Sequence, residues 1–228
     1  MSVFSSPLVR LLLGLTVVTG VVDAVSYLAL GRVFVANMTG NVVFLGFSLT
    51  GASGFSAWLF VVALAGFSVG SAAGGRLARA READRRIWLT LAFTGEAVLV
   101  TVALVISAFG GTHSIGGSGR YAAVALLAAG MGIQNATARA LAVPDLTTTV
   151  LTLTLTGLSA DSVLGSGKRT PPWRRIASVV AMLAGAAVGA VLVLDASVPA
   201  ALGLAAGALA LVALAPSAIG RDRLAEGS

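Results

Sequence analysis

Phe34-Val35-Ala36-Asn37-Met38-Thr39-Gly40-Asn41 follows Asp23 and Ser26 closely, in sequence apolar enough to sit in lipid. A second polar stretch, Gln134-Asn135 and then Pro144-Asp145-Leu146-Thr147-Thr148-Thr149, interrupts the second half in the same way. A polar group held in hydrocarbon without a partner costs roughly several kcal/mol, so such groups are kept there for a task. Whether these two stretches cross the bilayer decides the topology.

The surrounding composition fixes the class. Of 228 residues, 57% are hydrophobic and 11% charged, with a mean hydropathy of +0.97. Soluble domains carry about 25% charged residues. Apolar runs of about 20 residues, the length of a membrane helix, recur along the chain. The alternation of a transmembrane barrel is missing. The fold class is therefore all-α, a polytopic helical membrane protein in contact with the lipid bilayer.

The net charge of +6 does not point to nucleic acid, because the basic residues gather in short loops between apolar runs, as cytoplasmic loops do. With no Cys there is no disulfide, thiolate site or Cys nucleophile, and the one histidine, His113, leaves no zinc set. No Walker loop and no Ser–His pair at matched depth are present. The expectation is a protein that is not an enzyme and has no cofactor or metal.

Spans are read at 8–30, 55–75, 87–109, 121–143, 176–194 and 198–215, with short segments at 34–50 and 145–158. The first apolar run extends past Asp23 to Leu30, too long for a signal-peptide core, and reads as an uncleaved helix. The strongest basic loops are 76–86 and 168–175. Both fall on one side only if an even number of crossings separates them. That favours six transmembrane helices plus two re-entrant or half-length segments, with both termini cytoplasmic. Seven crossings is the alternative.

The chain reads as one membrane domain with an internal echo. Gly20-Val21-Val22-Asp23-Ala24 matches Gly132-Ile133-Gln134-Asn135-Ala136 at an offset of 112 residues. Asn37-Met38-Thr39 matches Asp145-Leu146-Thr147 at an offset of 108. Under the favoured topology the halves, 1–110 and 111–228, form an inverted repeat. Such repeats, with broken helices meeting near the midplane, recur in secondary transporters.

Val22-Asp23-Ala24-Val25-Ser26-Tyr27-Leu28, the run from Phe34 to Asn41, and Gly130-Met131-Gly132-Ile133-Gln134-Asn135-Ala136 resemble the YoaK-like family of bacterial membrane proteins. The resemblance covers most of the chain and implies a bacterial inner-membrane protein of about six helices. The family is a domain of unknown function, so the resemblance implies no chemistry.

Thr16, Thr19, Asp23, Ser26 and Tyr27 share one face of the first span. Asp23 has two open readings, as a proton- or cation-carrying carboxylate or as a cap or partner of Arg32 or Arg139. Asn37 to Asn41 reads as the start of a half-helix, with Asn37 as N-cap. Pro144-Asp145 reads similarly. A helix start in mid-membrane attracts anions, whereas one at an interface is plain capping.

Thr148, Thr152 and Thr156 recur every four residues, lining a path or joining helices. Gly66, Gly70 and Gly74, Gly185 with Gly189, and Gly203 with Gly207 mark close-packing faces. Glu96 is a second intramembrane carboxylate.

Two functions follow. One is a secondary transporter or channel for an unknown small solute or ion, with its path at Asp23, Ser26, Asn37, Thr39, Asn41, Gln134, Asn135, Asp145, Thr147 and Thr148. The other is a non-transporting membrane protein that assembles with partners, or as a homo-oligomer, through its glycine faces.

Overall fold

The computed structural model describes residues 7–81, 84–110, 117–142, 151–160 and 173–218. These form helices α1 (Pro7–Ala29), α2 (Met38–Leu49), α3 (Ala57–Ala80), α4 (Arg85–Gly110), α5 (Gly117–Leu141), α6 (Leu151–Ala160), α7 (Trp173–Val191) and α8 (Val198–Ala218). A π-helical turn, Leu192–Ala196, extends α7. Five helices (α1, α3, α4, α7 with its extension, and α8) are long and apolar enough to cross a membrane. The sixth long helix, α5, carries Arg120, Gln134, Asn135, Thr137 and Arg139. The chain is a multi-pass helical membrane protein in contact with lipid.

Several helix starts and ends differ from the sequence reading: α5 begins at Gly117 and α7 at Trp173, each earlier than read, so Arg174 and Arg175 are helical. α3 runs on through Arg76 and Arg79, and α4 begins at Arg85, so residues assigned to a basic loop are helical. Continuing the helix keeps the backbone paired, and long arginine side chains can still reach water. Asp84 caps α4, its Oδ1 accepting from Ile87 N–H at 3.1 Å. The second short segment, read at 145–158, is described only as α6, from Leu151 onward.

α1 is the axis of the molecule. In its membrane window 78% of residues are buried, against 22–33% in the other four. α7 and α8 pack on α1, α3 and α4 on α5, and α4 on α8, while α2 lies on α3 and α6 on α7. Exchanging α1–α4 with α5–α8 leaves these principal contacts unchanged.

Small residues allow the closest contacts. A methyl on Gly70 would strike the Ala129 carbonyl, and one on Gly74 would strike Ile133 and Ala136. A methyl on Gly185 would strike the Val17 carbonyl, and one on Gly189 would strike Val21 and Ala24. The targets Val17, Val21 and Ala24 each lie 112 residues before Ala129, Ile133 and Ala136, the same offset as the Gly20/Gly132 echo. In both pairs residue numbers rise together, so α3 runs parallel to α5 and α7 parallel to α1. By contrast, a methyl on Gly203 or Gly207 meets nothing within 4 Å, so that glycine pair is not a packing face among the described residues.

α2 does not carry the chain across the bundle. Gly31 (φ 100°) and Arg32 (φ 59°) reverse the chain after α1. Residues 33–36 run back along α1 as far as Asp23, where Val35 and Ala36 donate to its carboxylate. α2 then returns, and a methyl on Gly54 would lie 3.4 Å from the Arg32 guanidinium. The hairpin enters and leaves on one side. Phe44 pins it to the start of α3, its ring centroid 5.3 Å from that of Phe55, just before the helix, and 5.9 Å from that of Phe60 on it.

Gly31 also touches Leu59 and Arg120, which puts the starts of α3 and α5 beside the end of α1. The two ends of the bundle therefore differ in charge. Arg10, Arg76, Arg79, Arg81, Arg85, Arg86, Arg139, Arg174 and Arg175 gather at one, and Arg32 and Arg120 at the other.

Gly70→Ala and Gly185→Ala should each destabilise the protein by about 1–3 kcal/mol, because backbone stands where the methyl must go. Gly203→Ala should be neutral or stabilise by up to about 1 kcal/mol. Thermal unfolding in detergent measures all three, and equal melting temperatures across the set would contradict these contacts.

Candidate functional site

Between α1 and α2 the chain leaves helical geometry, and its backbone groups need other partners. Asp23, 6% exposed, supplies one set: its Oδ1 accepts from Val35 N–H at 3.1 Å and Ala36 N–H at 3.0 Å. Fully buried Asn41 supplies the next, its Oδ1 accepting from Phe34 N–H at 2.9 Å while its Nδ2 donates to Phe34 O at 2.6 Å. A single amide side chain thus pairs both backbone groups of Phe34, as a neighbouring strand would.

The rest of the motif follows from this fold. Asn37 is the N-cap of α2, its Oδ1 accepting from Gly40 N–H at 3.5 Å. Gly40 lies against the Phe34 ring, where a methyl would be 2.9 Å from a ring carbon. Thr39 is exposed, as is Asn37. Ser26 is buried and donates back to Asp23 O at 3.1 Å. Backbone N–H groups reach the Asp23 carboxylate, not Arg32 or Arg139.

In the second half Gln134 is fully buried, and its Nε2 donates to Thr19 Oγ1 on α1 at 2.7 Å. Thr19 in turn donates to Leu15 O at 2.9 Å. Asn135 donates to Met131 O at 2.8 Å and is half-buried. Asp145, Thr147 and Thr148 lie outside the described residues, so the second half-helix start does too. Thr152 and Thr156 on α6 are exposed, and it is Thr154 that faces the protein, which removes the first two from a path inside the chain.

Three features were not grouped by the sequence reading. Thr137 is fully buried on α5, three residues past Gln134 and on the same face. Glu96 is fully buried on α4 against Gly130 of α5. A cleft of about 510 Å³ opens at the arginine-rich end, lined by Arg79, Arg85, Trp88 and Leu141 among others. The signal for Thr137 was its helical spacing from Gln134, but nothing in the pattern identified the opposing helix.

These groups line up through the bundle. From Leu141 at the cleft the α5 face leads to Thr137 and Gln134. The 2.7 Å hydrogen bond crosses to Thr19, and α1 continues one turn to Asp23 and then Ser26. Seven residues of α5 followed by seven of α1 span roughly 20 Å at 1.5 Å per residue.

The sequence from 11 to 215 matches the family model described as "Protein of unknown function (DUF1275)", and the chain belongs to that family. Among curated proteins it is 33% identical over 153 residues to the UPF0700 transmembrane protein YoaK of Bacillus subtilis (strain 168). The aligned part covers 64% of this chain and 64% of that protein's length. No solved structure matches.

The carboxylate's role as an acceptor can be tested apart from its charge. Asp23→Asn keeps an oxygen for Val35 and Ala36 and should change stability by less than about 1 kcal/mol. Asp23→Ala leaves two N–H groups unpaired and should cost about 2 kcal/mol or more. Folded yield and melting temperature in detergent decide this, and an alanine variant as stable as wild type would contradict the clamp.

Proposed function

We propose that this member of the DUF1275 family is a secondary transporter or channel for a small solute, built as an inverted repeat and not an enzyme. The observation that carries the proposal is the buried polar track from the arginine-lined cleft through Thr137, Gln134 and Thr19 to Asp23, beside the α2 hairpin. Polar groups buried in a lipid-facing bundle are retained for pathways and relays more often than for stability.

The repeat reading draws support from the 112-residue offset, shared by the sequence echo and the glycine contacts. In this reading the solute passes where α1 and α5 meet. Asn37 and Thr39 are exposed on the hairpin, beside that meeting point. Asp23 acts as a positioning residue, holding the hairpin at depth. The arginine-rich end faces the cytoplasm of a bacterial inner membrane by the positive-inside rule, which also places both termini there.

The competing reading, assembly with partners through glycine faces, has lost most of its surface. Gly66, Gly70, Gly74, Gly185 and Gly189 are already packed from within. Of the repeating glycines, Gly203 and Gly207 alone look onto open space.

The test uses proteoliposomes containing the full chain, with osmotic swelling followed in amino acids, sugars and organic acids in turn. At least one class should enter faster than into protein-free vesicles. Gln134→Leu, which removes the contact between α1 and α5, should cut that rate at least about tenfold (~1.4 kcal/mol) in folded protein. No entry of any class, or full entry through the leucine variant, would overturn the proposal.

A further inference from the structure

Glu96 is the least satisfied group among the described residues. It lies in the interior of α4, eleven residues past Arg85, and is fully buried. Both carboxylate oxygens are buried without a hydrogen-bond partner. Its side chain packs on Gly130, where a methyl would lie 3.5 Å from Glu96 Cγ. Gly130, Gln134 and Thr137 form one face of α5 at helical spacing. Gln134 Oε1 and Thr137 Oγ1 are likewise buried and unpartnered. Gln134 and Thr137 stand about 6 and 10 Å along α5 from Gly130, so the group against that glycine is Glu96 alone.

The charges facing this seam do not relieve it. α8, packed on the other side of α4, has no titratable residue. α4 itself brings only Arg85 and Arg86, at its start. The charges of α5 are Arg120 and Arg139, ten and nine residues from Gly130, or roughly 15 Å along the helix. The titratable tyrosine of that helix, Tyr121, lies at the same end as Arg120. α1 contributes Arg10, Tyr27 and Asp23, whose Oδ1 already holds two N–H groups. α3 contributes Arg76 and Arg79 at the basic end. A lone carboxylate in a low-dielectric interior is strongly disfavoured unless something neutralises it. A buried carboxylate with neither oxygen engaged is the ligand chemistry of a hard monovalent cation or a proton.

We propose that Glu96 is a cation-binding carboxylate that takes one exchangeable monovalent cation, a proton or a sodium ion, where α4 packs against Gly130 of α5. The site adjoins the polar track without belonging to its hydrogen bonds. Trp88, on the wall of the cleft, lies eight residues before Glu96, which places the cleft about two helical turns away. Coupling of this ion to solute movement rests on the transport reading, but occupancy of the site does not.

The experiment therefore needs no solute. Wild type, Glu96→Gln and, as a control at an exposed carboxylate, Asp195→Asn are reconstituted in nanodiscs. Binding of radioactive sodium is measured at neutral and alkaline pH, and the carboxylic-acid C=O stretch is followed by infrared difference spectroscopy across pH. For a sodium site, about one saturable ion per chain binds to wild type and to Asp195→Asn, and none to Glu96→Gln. For a proton site, sodium does not bind, and a titrating carboxylic-acid band is lost only in Glu96→Gln. Either result supports the site. Glu96→Gln matching wild type in both measurements overturns it.

Should the glutamine variant not fold, Glu96→Asp decides the same question. A shifted band or weakened sodium binding supports the site, and unchanged signals overturn it. Cation binding without solute flux would leave this site standing while the transport reading fails. Flux with no cation binding would remove Glu96 alone.

Discussion

Backbone N–H and C=O groups cannot be left unpaired in the interior of a membrane protein, and the chain between α1 and α2 breaks its helix there. Asp23 and Asn41 meet that constraint, one by accepting two N–H groups and the other by pairing both backbone groups of Phe34. The depth of α2 follows from where these side chains stand. The direction of α3 follows too, because the hairpin returns to the end of α1 and α3 must leave from there. The ring cluster of Tyr27, Phe34, Phe44, Phe55 and Phe60 then fills the space between the hairpin and its neighbours.

A bundle wrapped on a nearly buried α1 requires very close helix approach. Without a hydrophobic drive between helices in lipid, association depends on van der Waals contact, and glycines permit it. Backbone meets backbone at Gly70 with Ala129 and at Gly185 with Val17. Such tight seams leave little room for water, so polar groups inside them either pair, as Gln134 Nε2 does with Thr19, or stay unsatisfied, as both oxygens of Glu96 do. The contrast separates residues that join helices from a residue available to a ligand.

Much of this was legible in the sequence. The apolar runs gave the spans to within a few residues, and Asn37 reads correctly as the cap of α2. The Gly20/Gly132 echo located the offset that the glycine contacts repeat. The pattern could not show that Asn41 pairs with Phe34, because that contact depends on the chain reversal at Gly31 and Arg32. Nor could it show that Gln134 meets Thr19, 115 residues away. Gly203 and Gly207 carried the same spacing as the packed glycines and yet face open space. Spacing tells which residues share a face, and the topology alone tells what lies opposite. Thr152 and Thr156 mislead for the same reason. The second half-helix start read at Asp145 falls outside the described residues.

The central claim is that the segment from 33 to 50 enters and leaves the membrane on one side, held at depth by Asp23. The absence of native cysteine makes a direct measurement simple. Single cysteines at positions 32, 52 and 80 in oriented vesicles are labelled with a membrane-impermeant maleimide. A re-entrant hairpin predicts that positions 32 and 52 react from the same side and position 80 from the other. Labelling of 32 and 52 from opposite sides would contradict it.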